Sequence, residues 1–165
     1  MKSEKITEPT EIGWREWVAL PELGIPGIKA KVDTGARTSS LHTYYIESFR
    51  EGDRDMVRFR IHPLQNRTDI EIVCVAPIID TRLVKDSGGH VEERFVIETP
   101  VSLGGRQWPI EITLSCRDNM LFRMLLGRTA IVDGYLHVNP DRSYVTGKTV
   151  KSQYKSLRRR GMKKL

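Results

Sequence analysis

Cysteine is scarce, with two among 165 residues, and two cysteines alone cannot complete a tetrahedral structural zinc site. Cys74 and Cys116 lie far apart in apolar, strand-like surroundings and are expected as buried free thiols. No window approaches the roughly 18 uninterrupted apolar residues that a spanning helix needs, which predicts a soluble protein with no membrane contact. The N-terminus carries Lys2, Glu4, Lys5 and Glu8 and lacks an apolar run ending in small residues. No secretory signal is therefore expected, and the cytoplasm is the expected compartment. A Gly-x-x-x-x-Gly-Lys-Ser/Thr loop and a His-Glu-x-x-His helix motif are both missing, so neither a phosphate cradle nor a helix-borne zinc is indicated. His42, His62, His90 and His137 share no helix-face spacing and are expected at the surface or in turns.

Acidic residues are missing from residues 148–165, where Lys148, Lys151, Lys155, Arg158, Arg159, Arg160, Lys163 and Lys164 outweigh the whole formal charge of +6. Such a run is either a solvated, mobile end or a contact for RNA, ribosomes or another polyanion through counterion release. The chain thus divides into a polar leader (1–11), one folded body (12–147) and a basic, mobile tail (148–165). At this length a single domain buries about two-thirds of the surface its unfolded chain exposes.

What the body does contain is short segments rich in β-branched and aromatic residues between turn signals, the pattern of an all-β sandwich or barrel. Strands are expected at 14–20, 28–32, 56–62, 70–78, 94–99, 101–103, 108–114, 125–126 and 135–138. Alternation puts Val57, Phe59 and Ile61 on one face and Arg58 and Arg60 on the other, a half-buried strand. Gly104 and Gly105 have the composition of a tight hairpin turn. Ser87, Gly88, Gly89 and His90 form a second hairpin tip. Helix is confined to a short piece over 129–133, closed by Gly134.

The stretch with chemical content is Lys31-Val32-Asp33-Thr34-Gly35-Ala36-Arg37-Thr38-Ser39-Ser40-Leu41-His42, in which a strand delivers an aspartate into a glycine-containing turn. A bare Asp-Thr-Gly is commonly only a strand-ending turn. Its company here is more specific, because Met124-Leu125-Leu126-Gly127-Arg128 follows downstream, behind the strand pair flanking Gly104-Gly105.

Together these segments resemble the retropepsin-like half of the aspartic peptidases, in which the apolar-apolar-Gly segment packs beside the catalytic turn. With Glu93-Arg94, Leu103-Gly104-Gly105, residues 108–114 and residues 117–128, the resemblance extends over nearly all of 12–138. It points to the bacterial RimK-associated, RimB-like family that carries the name ATP-dependent zinc protease and accompanies an ATP-grasp ligase adding glutamates to a ribosomal protein.

The resemblance implies a retropepsin-like acid-protease barrel with one short helix after Leu-Leu-Gly-Arg. Asp33 would be catalytic, Thr34 and Gly35 would brace its turn, and Leu126, Gly127 and Arg128 would support it. Aspartic peptidases use two carboxylates sharing one proton, so one Asp-Thr-Gly per chain calls for a homodimer, with Asp118 as the alternative second carboxylate. Ser87, Gly88, Gly89 and His90 are the candidate flap. Arg37, Arg94, Arg117 and Arg123 are candidate substrate ligands, since guanidinium forks suit carboxylates, and a Glu-rich peptide is the expected substrate. No cofactor is expected. A metal-dependent hydrolase with His42 as zinc ligand stays open, as does a non-catalytic module binding an acidic ribosomal or RNA-associated partner.

Overall fold

The computed structural model describes residues 8–117, 119–147 and 154. Among them, twelve strands and one α-helix follow in order: β1 (Thr10–Ile12), β2 (Arg15–Leu20), β3 (Ile25–Asp33), β4 (Ser39–Thr43), β5 (Tyr45–Glu51), β6 (Arg54–Ile61), β7 (Ile72–Pro77), β8 (Asp80–Lys85), β9 (Val91–Leu103), β10 (Arg106–Cys116), β11 (Met124–Gly127), α1 (Arg128–Asp133) and β12 (Leu136–Val138). β10, β4, β11, β3, β2 and β9 form a sheet that closes on itself through the β9–β10 hairpin, giving a six-stranded barrel. β8 extends it along the first half of β9, β5–β6–β7 form a separate antiparallel sheet, and β1 pairs with β12. The all-β, retropepsin-like barrel is what the sequence implied.

Alternation in β6 works as expected: Val57, Phe59 and Ile61 are fully buried and pack with Leu20, Ile25, Ile28 and Leu114 of the barrel. The Gly104-Gly105 turn has φ of 60° and 79°, the mirror-image conformation that matches the twist of two paired strands. Residues 94–99 and 101–103 belong to one strand, not two. Pro100 does not interrupt it because it stands directly opposite Pro109 of β10, so the two residues without N–H groups share one rung.

The helix also forms where expected, but Gly134 ends it for a different reason. Gly134 keeps right-handed backbone angles. A Cβ there would sit 2.2 Å from the Trp108 ring, whose Nε1–H donates to the Ala130 carbonyl (3.1 Å). Cys74 is buried, its thiol pushed up to about 12 by desolvation, whereas Cys116, expected to be buried, is exposed at the end of β10. His42 and His62 are likewise buried, not at the surface, the latter stacked on Tyr44 at 4.2 Å.

Residues flanking the barrel are tied to it by a group that periodicity does not flag. Glu16, fully buried on β2, accepts from Gly13 N–H (2.7 Å) and Val145 N–H (2.9 Å) at Oε2, and from Thr146 N–H (3.0 Å) and Thr146 hydroxyl (2.9 Å) at Oε1. Of the leader, residues 8–11 are described and Thr10 and Glu11 already belong to β1. Of the tail, Tyr154 alone is described: it is buried against Trp17, Leu64 and Ile70, its hydroxyl accepting from Gly27 N–H (3.2 Å) and donating to the Gly27 carbonyl. No helix among the described residues is long and apolar enough to cross a membrane.

Removing a charged acceptor leaves its buried and part-buried donors without their partner. Glu16→Ala is therefore expected to lower stability by about 3 kcal/mol, read as a fall in the urea midpoint at unchanged slope.

Candidate active site

Asp33 is the last residue of β3, where the strand register with β11 places it opposite Gly127. Its Oδ1 accepts from the N–H groups of Gly35 (2.9 Å) and Ala36 (3.2 Å), so the carboxylate folds the turn around itself. The returning chain becomes β4. β11 then inserts between the two, parallel to β3 and antiparallel to β4. Its exit locks the turn: Arg128 N–H donates to the Ala36 carbonyl (2.7 Å), Thr129 N–H to the Arg37 carbonyl (3.1 Å), and the Arg128 guanidinium to the Thr34 carbonyl (3.1 Å). Bracing comes from Gly35, Ala36 and Arg128, with Thr34 contributing its carbonyl.

Gly127 can be nothing larger. A Cβ would lie 2.6 Å from the Thr38 carbonyl carbon and 2.8 Å from Ser39 N, and Gly127 N–H itself donates to Ser39 Oγ (3.0 Å). The Leu-Leu-Gly-Arg segment thus sits where the sequence placed it, beside the aspartate turn, with Leu126 fully buried.

Asp33, half-buried, opens onto a cleft of about 1050 Å³ walled by the turn, β4, β10, α1 and the β8–β9 hairpin. Its floor is a polar seam between the parallel strands β4 and β10. Ser40 and Thr113 share a hydrogen bond (2.9 Å), His42 Nδ1 meets Ser115 Oγ (2.6 Å), and the Thr43 hydroxyl donates to the Ser115 carbonyl (3.0 Å). Every one of these side chains is buried, which the low dielectric of an interior makes costly unless each finds its partner.

Arg94 is 6% exposed and reaches this floor, donating to Ser40 Oγ (3.5 Å) and pairing with Glu92 (3.0 Å). Arg117 pairs with Asp86 (2.7 Å), which also accepts from the N–H groups of Gly88 and His90 and so ties the hairpin tip to the cleft wall. Arg117 first, then the His90 N–H, hold the Asp86 carboxyl down at about 2. The tether is therefore charged throughout the ordinary pH range.

Of the expected ligands, Arg37, Arg94 and Arg117 line the cleft; Arg123 does not, being buried with its guanidinium on the Met120 carbonyl (3.0 Å) and its own carbonyl accepting from His42 N–H (2.8 Å). Ser87 lines the cleft, whereas Gly88, Gly89 and His90 of the flap candidate do not. Asp118 lies outside the described residues. Ser40, Thr113, Arg82, Glu98, Glu111 and Asp133 also line the cleft without having been singled out. Arg37, Arg82, Lys85, Arg94 and Arg117 are there matched in number by Asp33, Asp86, Glu98, Glu111 and Asp133. Positive charge is consequently local to particular arginines, not a property of the whole cleft.

Among the described residues no three His, Cys, Asp or Glu side chains converge as metal ligands. His42 is held neutral instead. Burial, then the nearby Arg94, Arg117 and Arg123 charges, push its imidazole down to about 4, with Glu92 opposing.

A family model described as "RimB-like: Retropepsin-like aspartic endopeptidase RimB" matches residues 11–149. A probable alpha-L-glutamate ligase of Desulfotalea psychrophila is 51% identical over 122 residues, covering 74% of this chain and 26% of that protein. Its namesake in Shewanella halifaxensis is 46% identical over 136 residues, covering 82% and 30%. The chain thus spans about a quarter to a third of these curated relatives. A crystal structure of a Legionella pneumophila protein of unknown function superposes with a TM-score of 0.70 at 25% identity, covering 84% of this chain and 98% of that one. None of these descriptions carries the zinc-protease name.

A depressed His42 pKa makes stability depend on pH. The unfolded chain protonates near 6.5 and the folded one near 4, so the unfolded state binds more protons between those values. His42 contributes stability fully above pH 6.5 and loses it as pH falls toward 4, by about 1.4 kcal/mol for each tenfold difference in proton affinity between the two states. Chemical denaturation at pH 7 and pH 4.5 is expected to show a smaller acid loss for His42→Gln than for wild type.

Proposed function

Since the chain belongs to the RimB-like family of retropepsin-like aspartic endopeptidases, we propose that it hydrolyses amide bonds in Glu-rich peptides, with Asp33 as the carboxylate that activates water. The observation that carries this reading is the seating of Asp33: a strand end, two backbone N–H donors on one oxygen, and a cleft in front of it. Those donors fix Oδ1 and leave Oδ2 as the atom that takes the water proton. The water oxygen then attacks the carbonyl carbon, a protonated second carboxyl supports the developing oxyanion, and the amine leaves with a proton.

The second carboxyl is supplied by another Asp33 across a twofold axis. Support for pairing comes from exposed apolar side chains around the cleft: Leu83 on its wall is 73% exposed, Leu121 beside Met120 is 57% exposed and Val132 on α1 is 67% exposed. A second copy would give them something to bury against. The Glu-rich substrate is supported by Arg37, Arg94 and Arg117 in the cleft and by relatives whose names describe glutamate ligation. A ligase that adds glutamates and a hydrolase that trims them act on the same polymer.

The decisive comparison is hydrolysis of an α-linked oligoglutamate peptide by wild type and Asp33→Asn, with the mass in solution measured alongside. Loss of a positioned acid–base group typically costs about a hundredfold or more, so Asp33→Asn is expected to fall at least that far, chelator to have no effect, and the active species to be a dimer. Activity undiminished in Asp33→Asn would refute the assignment, and binding without cleavage by wild type would make the protein a peptide-binding module.

A further inference from the structure

Among the cations that line the cleft, one is placed unlike the rest. Arg37 and Lys85 are exposed, Arg82 is half-buried and held by Asp80 and Glu111, and Arg117 is committed to the Asp86 tether. Arg94 is buried. A guanidinium carries five N–H donors. In Arg94 the Nε–H goes to Glu92 (3.0 Å) and one Nη1–H reaches Ser40 Oγ at the limit of bonding distance (3.5 Å), which leaves its other donors without an acceptor among the described residues. Burial makes unfilled donors on a charged group costly, and the space they adjoin is the cleft.

His42 stands at the same corner. The hydroxyl proton of buried Ser115 has His42 Nδ1 (2.6 Å) as its acceptor, which puts the imidazole proton on Nε2. His42 lines the cleft, so Nε2–H is a second donor still to be used. Ser40 and Thr113 close on one another, Thr113 donating in turn to the Ser39 carbonyl (3.4 Å), and so wall the corner without adding charge. Arg94, Arg117 and Arg123 bear on the His42 ring with Glu92 opposing them, so the field there is positive. Unfilled donors in a buried, positive corner make a receptor for one anion, and Glu92 shows that a carboxylate suits this guanidinium.

We propose that Arg94 and His42 form a single-carboxylate subsite that reads one glutamate side chain of the substrate, while the exposed cations of the cleft only attract it. The inference rests on the Glu-rich reading of the cleft and assigns its selectivity to one corner. Strand register locates that corner: Gly127 stands opposite Asp33 and Leu125 opposite Ser40, so Ser40 lies two residues along and two strands across from the aspartate. At about 3.3 Å per residue and about 4.8 Å per strand the offset is roughly 12 Å, the span of about three or four residues of extended peptide. The glutamate read at Arg94 is therefore a few residues removed from the amide presented to Asp33.

The test uses the full chain carrying Asp33→Asn, so that binding is read without turnover, and a set of capped, fluorophore-labelled tetraglutamates with one glutamate at a time replaced by glutamine. Affinity by anisotropy is expected to fall between about ten- and a hundredfold at one position and little at the others. Adding Arg94→Met is expected to bring that position level with its neighbours. A second measurement leaves Arg94 in place: in isotope-labelled Asp33→Asn protein, His42 is expected as the Nε2–H tautomer, and tetraglutamate is expected to shift the His42 Nε2–H and Arg94 Nε–H resonances. Equal penalties at every position, a one-position penalty that survives Arg94→Met, or unmoved His42 and Arg94 resonances would each overturn the proposal. Hydrolysis of the same peptides by wild type separates the two readings. Cleavage with equal penalties keeps the hydrolase and removes the subsite, whereas a one-position binding penalty without cleavage keeps the subsite and removes the hydrolase.

Discussion

One close approach of backbone to backbone holds the Asp33 turn in place. Gly127 lies against the Thr38–Ser39 peptide with no room for a side chain, and its N–H is taken by Ser39 Oγ. Only through that contact can β11 slot between β3 and β4, and only then do Arg128 and Thr129 reach the carbonyls of Ala36, Arg37 and Thr34. The aspartate turn is thereby gripped from its own carboxylate on one side and from the β11–α1 junction on the other. A carboxylate held this way does not wander, which is the condition for acid–base work at a fixed distance.

The same insertion explains the polar floor. β4 is paired on both edges, by β10 and β11, which brings its buried hydroxyls and imidazole within reach of partners across the strand boundary. Ser40 with Thr113 and His42 with Ser115 are those pairs. Arg94 and Arg117 then stand above a floor that carries no charge of its own, since His42 stays neutral in their company. Cationic reach toward a ligand and a quiet floor beneath it arise from one strand arrangement.

Much of this was legible in the residues. Alternation marked β6, the paired glycines marked the β9–β10 turn, and Asp33 with Leu126-Gly127-Arg128 marked the segments that meet at the turn. β4 was not legible: Ser39, Ser40, His42 and Thr43 look like a solvated run, and only a partner strand 70 or so residues away makes their burial tolerable. Glu16 escaped notice for the same reason, its four donors lying in residues 13 and 145–146. Arg123 was read as a ligand because sequence shows its charge but not its direction. Gly134 was read correctly as the end of the helix, but its need for a glycine was not legible, since what excludes a side chain there is the Trp108 ring.

If the cleft in front of Asp33 is where a glutamate-rich chain is held, binding should be visible without turnover. Amide chemical shifts of Asp33→Asn titrated with an α-linked oligoglutamate test this most directly. The account predicts saturable shifts at Ala36, Ser40, Arg94, Thr113 and Arg117, around the turn and floor that the Gly127 contact builds. Shifts confined to Arg15, Lys29 and Lys31, or none at all, would contradict it.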